Sequence, residues 1–238
     1  MTTHSSAGSK HVVSLRERKK QQTRRQLADI AVRMFTDDGF ETVTLDRVAD
    51  AAEVSKRTLL RYFPTKEDLA LSAESELWNA YLAAFAAAGL GRESAVMDTL
   101  RVTMIAAIDH RDADWERRFV ATRRLVVHHI AVRHHSDTLS LSAQERLVAT
   151  LESRTGVDRH ADLRIRLLPE LAMAAWRCGA KNWVRAQRHS ARRGIGARAS
   201  LIGCVEEAFA ALPTALTITG PDIVGAPVDL PASSRTQS

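Results

Sequence analysis

The chain has 238 residues, 45% apolar and 26% charged, which suits one or two globular domains and excludes a disordered or fibrous chain. Its formal net charge is +6, which favours an acidic partner such as nucleic acid. Two distant cysteines, Cys178 and Cys204, provide neither a disulfide framework nor metal spacing.

From the N-terminus, residues 1–13 have no apolar run of the kind a signal peptide needs, and they are expected to be a disordered arm. The first helix is expected over 14–38. It opens on the capping box Ser14–Glu17 and carries the stripe Leu27, Ile30, Ala31, Met34, Phe35, with Gly39 to end it. Residues 10–33 hold eight basic and two acidic side chains, an excess equal to the net charge of the whole chain. A second helix follows Thr44, with Leu45, Val48, Ala49 and Ala52 inward. After a very short connector, a third runs from Lys56 to Phe63, capped by Ser55 and ended by Pro64. Thr65 and Asp68 form another capping box and open a helix expected over 66–89. Further helices are expected over 94–110, 112–134, 141–154, 162–189 and 197–211, with breaks at "GLGRE", "HRDAD", "HSDTLS", "RTGVDRH" and "RRGIG". Residues 213–238 hold four of the six prolines and no helical face, and are expected to be a disordered tail. No alternating strand pattern is present, so the fold class is all-α. The longest apolar run, Ala80 to Leu90, is too short to cross a bilayer, which needs ~20 residues.

On a helical wheel, Leu59 and Phe63 of the third helix share one side. Arg57, Arg61 and Thr58 lie opposite, flanked by Lys56 and Tyr62, with Leu60 on the rim beside Lys56. Two short helices across a tight turn, the second anchored on one side and basic on the other, are the helix-turn-helix pattern. Its second helix enters the major groove. Arginine suits guanine edges, while lysine, hydroxyls and capped helix N-termini suit phosphates. Leu60 is placed to touch a thymine methyl.

Arg24 to Leu69, reading "R..LADIAVRMFTDDGFETVTLDRVADAAEVSKRTLLRYFPTKEDL", resembles the N-terminal domain of TetR/AcrR-type transcriptional regulators. The likeness covers about a fifth of the chain. It implies a three-helix DNA-binding domain over 14–64 and a helical effector-binding and dimerisation domain over 65–212. It further implies phosphate contacts for Thr44, Tyr62 and Lys66, and groove contacts for Ser55, Lys56, Arg57 and Thr58. The chain departs from the pattern at Glu53, where glycine is usual and a left-handed backbone is expected. It departs again at Leu60, where tyrosine is usual, and at Arg57, where a small residue is usual.

The function implied is a cytoplasmic, ligand-responsive repressor that binds a palindromic operator on double-stranded DNA as a homodimer. No enzyme activity, cofactor or membrane is expected. Candidates for the lining of an effector pocket are Trp78, Met97, Leu100, Met104, Ile108, Trp115, Phe119, Leu125, Trp176 and Trp183, and the effector is expected to be an apolar or aromatic small molecule. The stripes Leu167, Leu171, Ala174, Cys178 and Leu201, Val205, Ala208, Phe209 would pair with their copies across a four-helix interface. "HHIAVRHH" invites a metal, but on one helix His128 and His135 would stand about 10.5 Å apart along the axis, and no pair sits at i, i+4. The rival readings are a helical metalloprotein or enzyme using these histidines, and a non-specific nucleic-acid-binding protein.

Overall fold

The computed structural model describes residues 15–90, 95–192 and 197–218. The expected arm 1–13, the Ser14 cap and most of the expected tail lie outside the described residues. Within the described residues every regular element is helical.

The head of the molecule is built from four helices. Helix α1, Leu15–Asp37, is polar in its first half and buries Leu27, Ala28, Ala31, Val32 and Phe35 in its second. Gly39 follows with φ +90°, the left-handed backbone that turns the chain away. Helix α2, Leu45–Ala51, starts where Thr44 Oγ1 accepts from the Arg47 amide at 3.3 Å. Helix α3, Lys56–Tyr62, starts where Ser55 Oγ accepts from the Thr58 amide at 3.1 Å. Glu53, between them, has φ +55°, as its glycine-like position predicts. Helix α4, Lys66–Ala70, carries the full capping box: the Asp68 amide donates to Thr65 Oγ1 and the Thr65 amide donates to Asp68 Oδ2, both at 3.0 Å.

The body contains α5 (Ser72–Ala87), α6 (Val96–Asp109), α7 (Ala113–His128), α8 (Ile130–Thr155), α9 (Arg164–Arg192), α10 (Ala197–Ala210) and the single turn α11 (Leu212–Ala215). Three expectations are corrected. The helix expected over 66–89 is broken at Leu71, which leaves helical geometry at ψ 14° and separates α4 from α5. "HSDTLS" is no break, because α8 runs through it. Ser136 Oγ donates to buried Glu74 and Thr138 Oγ1 donates to the His134 carbonyl, so these polar residues are satisfied within a helix. The break falls instead at His129, with φ −122° and ψ 117°. The start of the expected tail, Pro213 to Ala215, is helical.

Two apolar clusters organise the chain. The first joins Leu27, Phe35, Phe40, Val48, Leu59, Phe63 and Leu69 of the head to Leu125, Val126 and Val132 at the α7–α8 corner. The head core thus extends past the expected boundary at residue 64 and is closed by the body. The second fills the space among α5 to α10. Buried Arg118 of α7 bridges the two regions. It donates to Asp29 Oδ1 of α1 at 3.0 Å and to Glu76 Oε2 of α5 at 2.9 Å.

Candidate DNA-binding surface and helical interior

The recognition face is set by what α3 buries. Leu59 and Phe63 are both 0% exposed, so the helix cannot rotate without opening the head core. Lys56, Arg57, Leu60 and Arg61 are exposed as a result, and Thr58 and Tyr62 half-buried. The Lys56 ammonium reaches across the turn to Asp46 Oδ2 at 2.8 Å and ties α3 to α2. Thr58 Oγ1 lies 2.9 Å from Ser55 Oγ, so these two hydroxyls are shared with the cap of α3. The Arg61 guanidinium lies 5.5 Å from the Tyr62 ring centroid. Thr44 is exposed at the start of α2. Lys66 stands over the Phe40 ring at 4.3 Å, which fixes its ammonium at the head surface by cation–π attraction.

One residue important to this face was not picked out by the sequence. Arg24 of α1 donates to the Tyr62 carbonyl at 2.6 Å and stacks on the Phe63 ring at 4.2 Å. It therefore satisfies an end carbonyl of α3 and holds that helix against α1. Burial lowers its pKa, with Glu76 and Asp68 acting in the opposite sense. The signal was present: Arg24, Leu27, Ala28 and Ala31 fall at i, i+3, i+4, i+7, so Arg24 continues the buried stripe. At the neighbouring α4–α8 contact, His135 Nε2 lies 2.7 Å from Asp68 Oδ1. Burial alone would raise the Asp68 carboxyl, but hydrogen bonds from Thr65 and His135 outweigh it and hold the group below the usual carboxylate range.

Of the ten candidate pocket residues, Trp78, Leu100, Met104, Ile108, Trp115, Phe119, Trp176 and Trp183 meet in the body core, with Met97 packed at its edge. Trp115 stacks on Phe119 at 4.6 Å between centroids, and Trp78 meets Trp176 edge-on at 5.2 Å. Leu125 is the exception, because it belongs to the head core. A polar seam runs beside the aromatic cluster. Glu74 is 1% exposed and accepts from Ser136 Oγ at 2.9 Å and from Arg123 Nη1 at 3.3 Å. Burial raises the Glu74 pKa, while Arg123 and Ser136 act to lower it.

The interface stripes divide. On α9, Leu167 and Cys178 are exposed and Leu171 and Ala174 half-buried. On α10, Leu201, Val205 and Phe209 are buried in the chain's own core against α9, so they do not form an open surface as expected, and Ala208 is half-buried. The two helices approach closely at Gly179, where a Cβ would stand 2.8 Å from the Cys204 carbonyl oxygen. The break at His129 places His128 on α7 and His135 on α8, so the single-helix spacing does not apply. Among the described residues no group of three or more His, Cys, Asp or Glu could hold a metal ion. No helix there is long and apolar enough to cross a membrane.

A capped helix pinned by two buried side chains and presenting a basic face, one short turn after another short helix, defines the class: a helix-turn-helix protein of the DNA-binding kind. The model of the family "Bacterial regulatory proteins, tetR family" matches residues 27–73. The HTH-type transcriptional regulator TcmR of Streptomyces glaucescens is 30% identical over 175 residues, covering 71% of this chain and 76% of TcmR. Among solved structures, the TetR family transcriptional regulator PfmR from Thermus thermophilus is 20% identical, covers 77% of this chain and 97% of its own, and has a TM-score of 0.42. A TerR/AcrR family transcriptional regulator from Aquifex aeolicus is 14% identical, with 81% and 99% covered and a TM-score of 0.43. The chain belongs to the TetR family and is a DNA-binding transcriptional regulator.

Proposed function

We propose that the chain is a ligand-responsive repressor that binds a palindromic operator as a homodimer. The observation that carries this is the division of α3: Leu59 and Phe63 fully buried, Lys56, Arg57, Leu60 and Arg61 exposed. Arg57 and Arg61 read base edges, because their forked donors match guanine. Ser55, Lys56 and Thr58 sit at the groove end of the helix, and Leu60 meets a thymine methyl. Thr44, Tyr62 and Lys66 hold phosphates and set the register. DNA as partner puts the protein's work in the cytoplasm.

Two copies join through the open side of α9, with Leu167, Leu171, Ala174 and Cys178, and through Ala208 of α10. The exposure of Leu167, at 53%, supports this reading. A symmetric dimer matches a symmetric site. The effector enters the body among Trp78, Leu100, Met104, Ile108, Trp115, Phe119, Trp176 and Trp183, and it is apolar or aromatic. Selection of bound duplexes from a random pool tests the whole reading. A palindrome with half-sites spaced by the helical repeat is the expected product; enrichment of no sequence would sink it.

A further inference from the structure

Helix α1 extends well beyond the core that it serves. Its buried residues begin at Leu27. The turns before it carry Arg16, Arg18, Lys19, Lys20, Arg24 and Arg25 against Glu17 alone. Arg24 is tied to α3 through the Tyr62 carbonyl at 2.6 Å. Arg16, Lys19, Lys20 and Thr23 fall at i, i+3, i+4, i+7 and so share one face. That face looks toward the recognition helix. With Glu17, Arg61 and Tyr62 it lines a groove of about 760 Å³ between α1 and the C-terminal end of α3. Its cations are Arg16, Lys19, Lys20 and Arg61, facing the single carboxylate of Glu17. Arg61 belongs both to this groove and to the exposed face of α3, so the two surfaces are continuous.

We propose that this groove grips the sugar–phosphate backbone of DNA outside the half-site read by α3, extending the footprint along the flanking duplex. Like charges three and four residues apart destabilise a helix. Here Arg16 repels Lys19 and Lys20, and Glu17 offsets part of that repulsion through a pair with Lys20 at 4.0 Å. A bound polyanion removes that repulsion. A duplex strand is the occupant that fits, because the cations line up along the helix and continue onto a face that already meets DNA. Lysine and arginine on phosphate carry no base preference, so the contact adds affinity without sequence information. The inference rests on the DNA-binding role of α3.

The test compares the full chain with the variant R16Q/K19Q/K20Q on two duplexes recovered by selection. One is trimmed to its half-sites and the other carries about 10 bp, one helical turn, of arbitrary sequence on each side. The wild type binds the longer duplex about tenfold tighter, with a salt slope steeper by about 2–3 as the extra counterions are released. The variant loses both differences and keeps the preferred sequence, and R16K/K19R/K20R restores them. Equal wild-type binding to both duplexes, or a variant that keeps its length dependence, would overturn the proposal and leave the role of α3 intact. Loss of sequence preference in the wild type on both duplexes would overturn the two together.

Discussion

The head and the body are both helical, yet they are held in opposite ways. In the head, α2 and α3 have seven residues each and α4 has five. Isolated helices below ~12–15 residues are marginal in water. These three persist because each N-terminus is closed by a side chain, Thr44, Ser55 or Thr65, and because Val48, Leu59 and Leu69 are buried. In the body, α8 has 26 residues and α9 has 29, and α8 opens at His129 without a side-chain cap. These long helices are held by extended packed faces instead. Local chemistry therefore gives the head a fixed, small, polar-rimmed surface, while the body is set by packing between distant parts of the chain.

The joint between them should show the largest effect. Arg118 is 4% exposed and holds Asp29 and Glu76 on different helices. Removing one member of a fully buried ion pair costs ~3–5 kcal/mol. Asp29 is 38% exposed, so Arg118→Met should cost about 2–3 kcal/mol. Chemical denaturation reads this directly, and an unchanged midpoint would show that the Arg118 bridge adds nothing to the joint between head and body.

Within the body, Gly179 gives a sharper test. Glycine to alanine in a helix normally stabilises by up to about 1 kcal/mol. Here the new Cβ would stand 2.8 Å from both the Cys204 carbonyl oxygen and Val205 Cα, which are backbone atoms that cannot turn aside. Gly179→Ala should therefore destabilise, by about 1–3 kcal/mol for forced overpacking. Stabilisation in thermal unfolding would mean that α9 and α10 are less tightly apposed.

The smallest effect is expected in the head. Glu53 holds φ +55°, a conformation that costs a residue with a Cβ about 1–2 kcal/mol. Glycine removes that strain and adds about 0.4–1 kcal/mol of unfolded-chain entropy. Glu53→Gly should raise stability by about 0–1.6 kcal/mol and leave the DNA sequence preference unchanged. A clear loss of stability would show that the Glu53 side chain contributes a contact of its own.

The same contrast explains what could be read from the chain. The Thr44, Ser55 and Thr65 caps, the Gly39 turn and the buried Leu59 and Phe63 all follow from neighbours within four residues and were legible, while the left-handed Glu53 was expected only from the family resemblance. For Arg24 the inward position was legible from the stripe, but its partner was not, because the Tyr62 carbonyl lies 38 residues away. Arg118 reaches Asp29 across 89 residues, and Ser136 reaches Glu74 across 62. The same distance hid the course of α8, whose polar "HSDTLS" reads as a loop until Glu74 is brought beside it. Leu201, Val205 and Phe209 formed a legible stripe, but a stripe does not say whether it meets its own chain or another.

Base reading by the exposed face of α3 is the central claim. The decisive measurement is the binding of Arg57→Ala, Arg61→Ala and Lys66→Ala to a panel of single-base variants of the selected duplex. Each arginine variant should lose preference at a defined base pair, by about 1–3 kcal/mol of discrimination. Lys66→Ala should weaken all sequences about equally. Arginine variants that keep the full preference of the wild type would contradict the assignment of α3 as the reading helix.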